Sequence, residues 1–295
     1  MTWAKAKWSS TVQSARDDLP MLVRCYHAAH TDKTGTSNLV LADMSGTHEP
    51  PTQREKVLAL AAVPSENVSD GIVHALGLFH ARWWQHDALR SQSFAKIRPW
   101  YRDPESFQWH CERRRREWAV FADTAAGEVP DATLGIYKAA LAAMPSLWER
   151  FLAPRVIPLQ GVTLTHGDCY LGQFLCPRGP EASSTYIVDF GDVSGNFGSY
   201  DLVYALCTFW TRDQRREGGR ELRLLHRYHQ ALMAGGVGTY SWDQLVADYR
   251  LMLLFMIFDP VWNQTDGSPR EYWVAKMRCL TDAYDDWDCA RLLHH

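Results

Sequence analysis

The sequence predicts an α+β chain in two lobes, a small first lobe with a short sheet and a larger, mainly helical second lobe. Three observations lead there. Two β-rich runs flank a turn near the start, apolar residues then recur at three and four through most of the chain, and two short β-rich runs interrupt that period midway. With 295 residues, 46% of them hydrophobic, the chain can bury a substantial core as one large domain or two lobes.

Residues 1–18, MTWAKAKWSSTVQSARDD, read as weak helix at best. Residues 21–28 (MLVRCYHA) and 37–42 (SNLVLA) read as the strands of a hairpin across the turn-rich HTDKTGT. The loop DMSGTHEPPTQ, dense in Gly, Pro and Ser, sets the lobe boundary near residues 43–54, with a partial first lobe over 1–44 and the helical lobe over 45–295. Ser69 reads as a helix N-cap, because Ile72, Val73, Leu76, Phe79, His80 and Trp83 follow at helical spacing. Leu134, Tyr137, Leu141, Met144, Trp148 and Phe151 repeat the pattern over 133–152, where Pro145 is placed to kink the helix.

The period then changes. Residues 162–165 and 186–188 are β-rich runs about the polar turn CPRGPEASS, and they predict a hairpin whose connecting loop carries the chemistry. Helices follow near 200–211, 217–234, 242–258 and 270–292, with residues 251–258, the most apolar stretch, as buried helix.

Composition narrows the function. A formal net charge of −3 supplies no basic face for nucleic acid. The one basic run, residues 113–116, reads as a solvated helix face or, alternatively, a local anionic contact. No apolar run reaches the ~18 residues of a membrane span, and the N-terminus lacks the apolar core of a signal peptide, so a cytoplasmic protein without a membrane partner is expected. Seven scattered cysteines without a C-x-x-C pair agree with a reducing compartment. Thirteen Trp suit a large core, and equally a pocket for flat or cationic ligands. His74, His80, His226 and His229 read as packing or surface residues, since no H-x-x-x-H or H-E-x-x-H pair has a third ligand in view. G-x-S-x-G, the mark of a serine acyl-transfer elbow, does not occur. Oligomeric state leaves no mark on the sequence.

The chemistry concentrates in THGDCYLGQF, residues 165–174, and IVDFGD, residues 187–192. Asp168, at the end of a short strand beside His166 and relieved of crowding by Gly167, is suited to take a proton from a substrate hydroxyl. Gln173 can return its amide to the same cavity, and Asp189, ending the partner strand, can hold a hard cation through oxygen. An Asp base beside an Asp on Mg²⁺ fits phosphoryl transfer. H-G-D alone is a common turn; strand–HGDxxxxQ–strand–DFG is far more specific.

LTHGDCYLGQFL, YIVDFGD and GNFGSYDLVYAL together resemble the aminoglycoside phosphotransferase and choline kinase-like families, relatives of protein kinases, over roughly residues 20–290. The resemblance implies a protein kinase-like fold with a truncated small lobe, and transfer of the γ-phosphoryl group of ATP, as its Mg²⁺ complex, to a hydroxyl of a small molecule. It implies Asp168 as the base with His166 orienting the loop, Asp189 and Gln173 on the metal, and Asp201 as a structural acceptor behind the loop. From SNLVLADMSGTH it implies that the backbone of Ala42, Asp43 and Met44 meets adenine, and ALGLFHARWW resembles the helix that follows this hinge.

Two departures bear on activity. Gln173 stands where the family pattern has Asn. About twenty residues precede the first strand; the first glycine is Gly35, so they hold no Gly-rich loop, and Lys5 and Lys7, in a setting that reads as solvated terminus or strand end, are the only lysines upstream. The competing reading is therefore a catalytically impaired pseudokinase that binds a nucleotide or a protein. Asp259, Trp262 and Asp266 in FDPVWNQTDG are candidates for a cationic or polyhydroxyl acceptor, against the plainer reading of an Asp-Pro turn with Trp262 in the core. An aminoglycoside, a choline-like amine, a sugar, a steroid alcohol and a macrolide all offer the required hydroxyl.

Overall fold

The computed structural model describes residues 19–31, 33–34, 36–61, 63–125, 127–179 and 184–293. The weak helix expected over 1–18, with Lys5 and Lys7, lies outside them, as does Gly35. The architecture is the expected α+β, with small sheets early and in the middle and helices elsewhere.

Strands β1 (Cys25–Thr31) and β2 (Thr36–Leu41) form an antiparallel pair, with His27 opposite Val40 and Thr31 opposite Thr36. The first strand starts four residues later than its apolar run because Leu19 and Met21 are used in the core instead. The Met21 carbonyl accepts from Ile187 N at 2.8 Å, which ties the segment before the hairpin to the second motif. Residues 42–44 lead into β3 (His48–Glu49), too short to leave a period and therefore read from the sequence as loop. β3 pairs with β5 (Phe174–Pro177), which pairs with β6 (Tyr186–Ile187).

One predicted pairing is corrected. Residues 162–165, β4 (Val162–Thr165), do not pair with 186–188; they run antiparallel to β7 (Ser194–Phe197), Val162 opposite Phe197 and Thr165 opposite Ser194. The polar turn CPRGPEASS joins β5 to β6 instead. Neither partner shows enough alternation to be read: β5 is four residues long, and Phe197 is the only large apolar side chain in SGNF.

Helix α1 (Glu66–Arg82) begins at Ser65, one turn before the expected Ser69 cap, because its first turn is polar and invisible to an apolar period. Ser69 is buried inside it. Helix α2 (Pro104–Thr124) is capped by Asp103, which accepts from Ser106 N at 2.7 Å, and Pro104 occupies the position where a helix needs no N–H. Helix α3 (Asp131–Ala143) gives way to a 3₁₀ turn holding Pro145 and then a π turn, Trp148–Leu152, so the break falls where proline put it.

The remaining long helices are α4 (Ser199–Cys207), α5 (Arg220–Ala234), α6 (Trp242–Met256), α7 (Asp259–Thr265) and α8 (Arg270–Asp286). α7 corrects the Asp-Pro turn: Pro260 sits in the helix's first turn, and Trp262 is 37% exposed, outside the core. α1 packs on α5 and α4 on α6, around a core in which Leu253, Leu254, Ile257 and Phe258 are wholly buried. Among the described residues no helix is long and apolar enough to cross a membrane. All seven cysteines are free and buried.

Candidate active site

β4 delivers the H-G-D loop at its end, and α4 supplies the group that holds it. His166 N donates to Asp201 Oδ2 at 2.6 Å and Gly167 N to Oδ1 at 3.0 Å. Asp201 is wholly buried; burial pushes its carboxyl up, but the hydrogen bonds from His80 and from the Gly167 N–H hold it below the usual carboxylate value. His80, from α1, bonds through Nε2 to Asp201 Oδ2 at 3.1 Å and through Nδ1 to the Tyr228 hydroxyl of α5 at 2.8 Å, so the ring is pinned between two helices. At Gly198 a Cβ would stand 2.4 Å from the Tyr228 hydroxyl and 2.9 Å from His80 Nδ1, so only glycine lets α4 start against that pair.

His166 links the two motifs. Its Nδ1 accepts from Asp168 N at 3.3 Å, leaving Nε2–H to donate to the Val188 carbonyl at 2.8 Å. Val188 N in turn donates to the Gln173 carbonyl at 2.9 Å, and Gln173 Nε2 donates to Asp168 Oδ2 at 3.3 Å. Asp189 follows Val188 directly, exposed, with φ 58°. The fold thus gathers Asp168, Gln173 and Asp189 at one edge, while Phe190 packs on His166 with ring centroids 5.0 Å apart.

The three hinge candidates lead into the same edge. Ala42 N donates to the Arg24 carbonyl at 2.8 Å, extending the hairpin. Asp43 Oδ1 accepts from Ser45 N at 2.9 Å, and that bond lowers the exposed carboxyl's pKa. The Met44 carbonyl accepts from His48 N at 2.9 Å and Thr47 N at 3.1 Å, so it closes a turn into β3. β3's partner β5 begins one residue after Gln173. A groove of about 670 Å³ opens alongside, lined in part by Glu49, Arg54, Lys56, Tyr170, Gly172 and Arg178.

Comparison with known proteins now has a geometry to meet. Residues 46–236 match the Phosphotransferase enzyme family. The chain belongs to that family. Among solved structures it is similar to the choline kinase LicA from Streptococcus pneumoniae, at 14% identity and a TM-score of 0.51, over 96% of this chain and 80% of that one. It is also similar to a choline kinase from Cryptosporidium parvum Iowa II, at 10% identity and a TM-score of 0.49, over 99% and 79% of the two chains. No curated protein sequence matches it. The family and the first of these folds agree with the protein kinase-like fold expected from the motifs.

Two residues of this phosphotransferase's site escaped the sequence reading. His80, read as packing, is the side-chain partner of Asp201. Arg98, in IRPW, is 3% exposed and reaches the loop from outside both motifs: its Nη2 donates to Asp192 Oδ2 at 2.6 Å and to the Gly167 carbonyl at 3.4 Å. The guanidinium lies 5.0 Å from the Trp100 ring centroid and 4.5 Å from that of Tyr200. A lone arginine carries no spacing signal, so only the tertiary fold reveals it.

The acceptor candidates lie on another element. Asp259 opens α7 and is ion-paired with the buried Lys276, Trp262 is exposed one turn later, and Asp266 is exposed at the helix's C-cap. The structure does not join these three into one cluster with Asp168. For a metal, the donor chemistry at the motif edge fits Mg²⁺: an exposed carboxylate on Asp189 and the amide oxygen of Gln173 are hard donors, and Mg²⁺ takes one or two such groups together with phosphates and water. Among the described residues no three His, Cys, Asp or Glu side chains form a closed metal cage.

Proposed function

We propose that this phosphotransferase moves the γ-phosphoryl group of ATP to a hydroxyl of a small molecule, with residues 1–44 belonging to its small lobe and 45–295 to its large one. The observation that supports this reading is the chain of bonds from Asp168 through His166 and Gln173 to Val188, which ties a half-buried carboxylate to the residue that precedes the exposed Asp189. Asp168 would accept the proton as the acceptor oxygen bonds to the γ-phosphorus and the bond to the β-phosphate oxygen breaks, releasing ADP. His166 holds that carboxylate's backbone in place, and Asp201 holds His166. Asp189 and Gln173 would carry Mg²⁺, which neutralises phosphate charge when bound. Residues 42–44 border the space for adenine. Seven free, buried thiols suit a cytoplasmic location.

A second reading has its own observation. Gln173 Nε2 already donates to one oxygen of Asp168, so that oxygen is taken before a substrate hydroxyl arrives, which favours a pseudokinase that binds nucleotide or protein without turnover. Calorimetry with Mg·ATP, followed by phosphoryl transfer to a panel of alcohols, separates the two. Asp189→Ala is expected to abolish Mg²⁺-dependent binding. Asp168→Asn is expected to keep binding and lose on the order of 10²–10⁴-fold in turnover. Binding without turnover in the native chain selects the pseudokinase, and the absence of any Mg·ATP binding in folded protein rejects both nucleotide readings.

A further inference from the structure

Two tyrosines on α4, Tyr200 and Tyr204, stand one turn apart with ring centroids at 6.5 Å. Each faces a buried cation that the chain itself supplies. Tyr200 lies under Arg98, as described above, and Tyr204 lies under Lys276, whose Nζ is 5.1 Å from its ring centroid. Lys276 is 0% exposed, an unusual position for a lysine. Its ammonium sits among three ring faces, with Nζ 5.5 Å from the Phe209 centroid and 5.1 Å from that of Tyr272. Its polar partners are the Asp259 carboxylate, Asn263 Oδ1 at 3.2 Å and the Tyr272 hydroxyl at 3.4 Å, matching its three N–H donors.

Three aromatic faces and a carboxylate are what a quaternary ammonium ligand needs from a protein, because such a cation has no N–H to offer and binds through ring faces and charge. This cage also lies on the catalytic side of the molecule. Tyr204 is on the helix whose first turn holds the H-G-D loop, one turn beyond Tyr200, whose ring lies under the Arg98 that donates to the Gly167 carbonyl. Asp259 is ion-paired with Lys276 and Asp192 with Arg98, so neither carboxylate presents an unmatched negative charge to an acceptor.

We propose that Lys276 is a specificity-determining residue: it fills with its own ammonium the aromatic cage against α4, the helix that holds the H-G-D loop, so the acceptor is a hydroxyl compound without a positive charge and quaternary ammonium alcohols are rejected. The proposal rests on the phosphotransferase reading for the word acceptor, but the cage can be tested without turnover. It also sets this chain apart from the choline kinases it is similar to in fold, whose named substrate carries a quaternary ammonium.

The test titrates the full chain with tetramethylammonium chloride and with choline chloride, following tryptophan fluorescence against matched sodium chloride, with Mg·ATP binding measured on the same samples. The native protein is expected to show no saturable response to either cation. Lys276→Ala, which empties the cage and leaves Asp259 charged, is expected to gain saturable binding, about tenfold or more above the native level. Lys276→Met, which keeps the cage filled but uncharged, is expected to gain none; a melting curve confirms that each variant is folded. Saturable binding of tetramethylammonium to the native chain overturns the proposal, and so does a folded Lys276→Ala that stays as indifferent as the native protein. If Lys276→Ala does not fold, the native titration decides alone. Loss of Mg·ATP binding in the native chain would instead count against the phosphotransferase reading and leave the cage result standing.

Discussion

Arg98 shows how a single residue outside both motifs can govern them. It is buried, its charge is answered by the exposed Asp192, and the same nitrogen reaches the carbonyl of Gly167, one residue before the proposed base. Replacing it with methionine keeps most of the stem's packing and removes the fork and both ring contacts. Arg98→Met is expected to be about 1–3 kcal/mol less stable, since the Asp192 partner is water-exposed and most of the loss lies in the ring contacts and the Gly167 bond. Turnover should fall while the KM for ATP changes little, because the loop that orients Asp168 loosens and the metal edge does not; urea melts and steady-state kinetics check the two halves. A large rise in KM with unchanged kcat would mean that Arg98 serves nucleotide binding instead. Asp168, Asp189 and Asp201 could be read from the sequence because each sits at a fixed offset in a short motif. Arg98 and His80 could not, because their partners lie 69 and 121 residues away, and nothing local marks a residue that acts at such distance.

At the scale of elements, the sequence showed that strands and helices meet at the site but not which strands pair. The helix period of α5 was plain because it buries one continuous face, Leu224, Leu225, Tyr228, Ala231 and Leu232. β3 and β6 have two residues each and β7 a single large apolar side chain, so their pairing is fixed by the tertiary frame. The turn between β4 and α4's acceptor is set by Gly167, with φ 88°, where a Cβ would stand 2.2 Å from the Asp192 carbonyl and 2.6 Å from Arg98 Nη2. An arginine head can move; the backbone of the D-F-G-D turn cannot without displacing Asp189. Gly167→Ala therefore combines positive-φ strain with a backbone clash and is expected to cost at least ~1–3 kcal/mol. Mg·ATP binding should weaken along with stability, as the two motif loops are pushed apart. Gly179→Ala, with open space around its Cβ position, is the control, expected to leave melting and binding unchanged. Equal melting curves for the two variants would show that the loops can separate at no cost.

Across the whole molecule, the basic run of α2 has a role that its reading as a solvated face did not include. Arg113 and Arg114 turn inward enough to pair with Glu117, and their charges, with that of Arg98, bear on His110 one turn earlier on the same helix. His110 is 4% exposed and stacks on Trp100, ring centroids 5.5 Å apart and planes 15° from parallel. Burial first, and then Arg114, Arg113 and Arg98, push its pKa down to about 3. In the folded protein the ring thus stays neutral down to about that pH, whereas in the unfolded chain it takes a proton near its ordinary value of roughly 6.5. Between those values the unfolded state binds the extra proton, so this residue's contribution to stability is complete above about pH 6.5 and is lost as the pH falls toward 3, with a limiting slope of ~1.4 kcal/mol per pH unit. Asp201, whose pKa is lowered, acts in the same direction only in the acid range where carboxylates titrate, so the interval from pH 6.5 to 5 belongs to the histidines; His74, held below its ordinary value by burial and by the charge of Arg227, adds to His110 there, and the variant below separates the two. Urea unfolding of the native protein at pH 7 and pH 5 is expected to differ by about 1–2 kcal/mol. His110→Phe, which keeps the stacked ring without the titrating group, should remove most of that difference while remaining folded at pH 7. Parallel pH profiles for the two proteins would mean that His110 gains its proton as readily in the folded state as in the unfolded one, and that the stack on Trp100 opens to water.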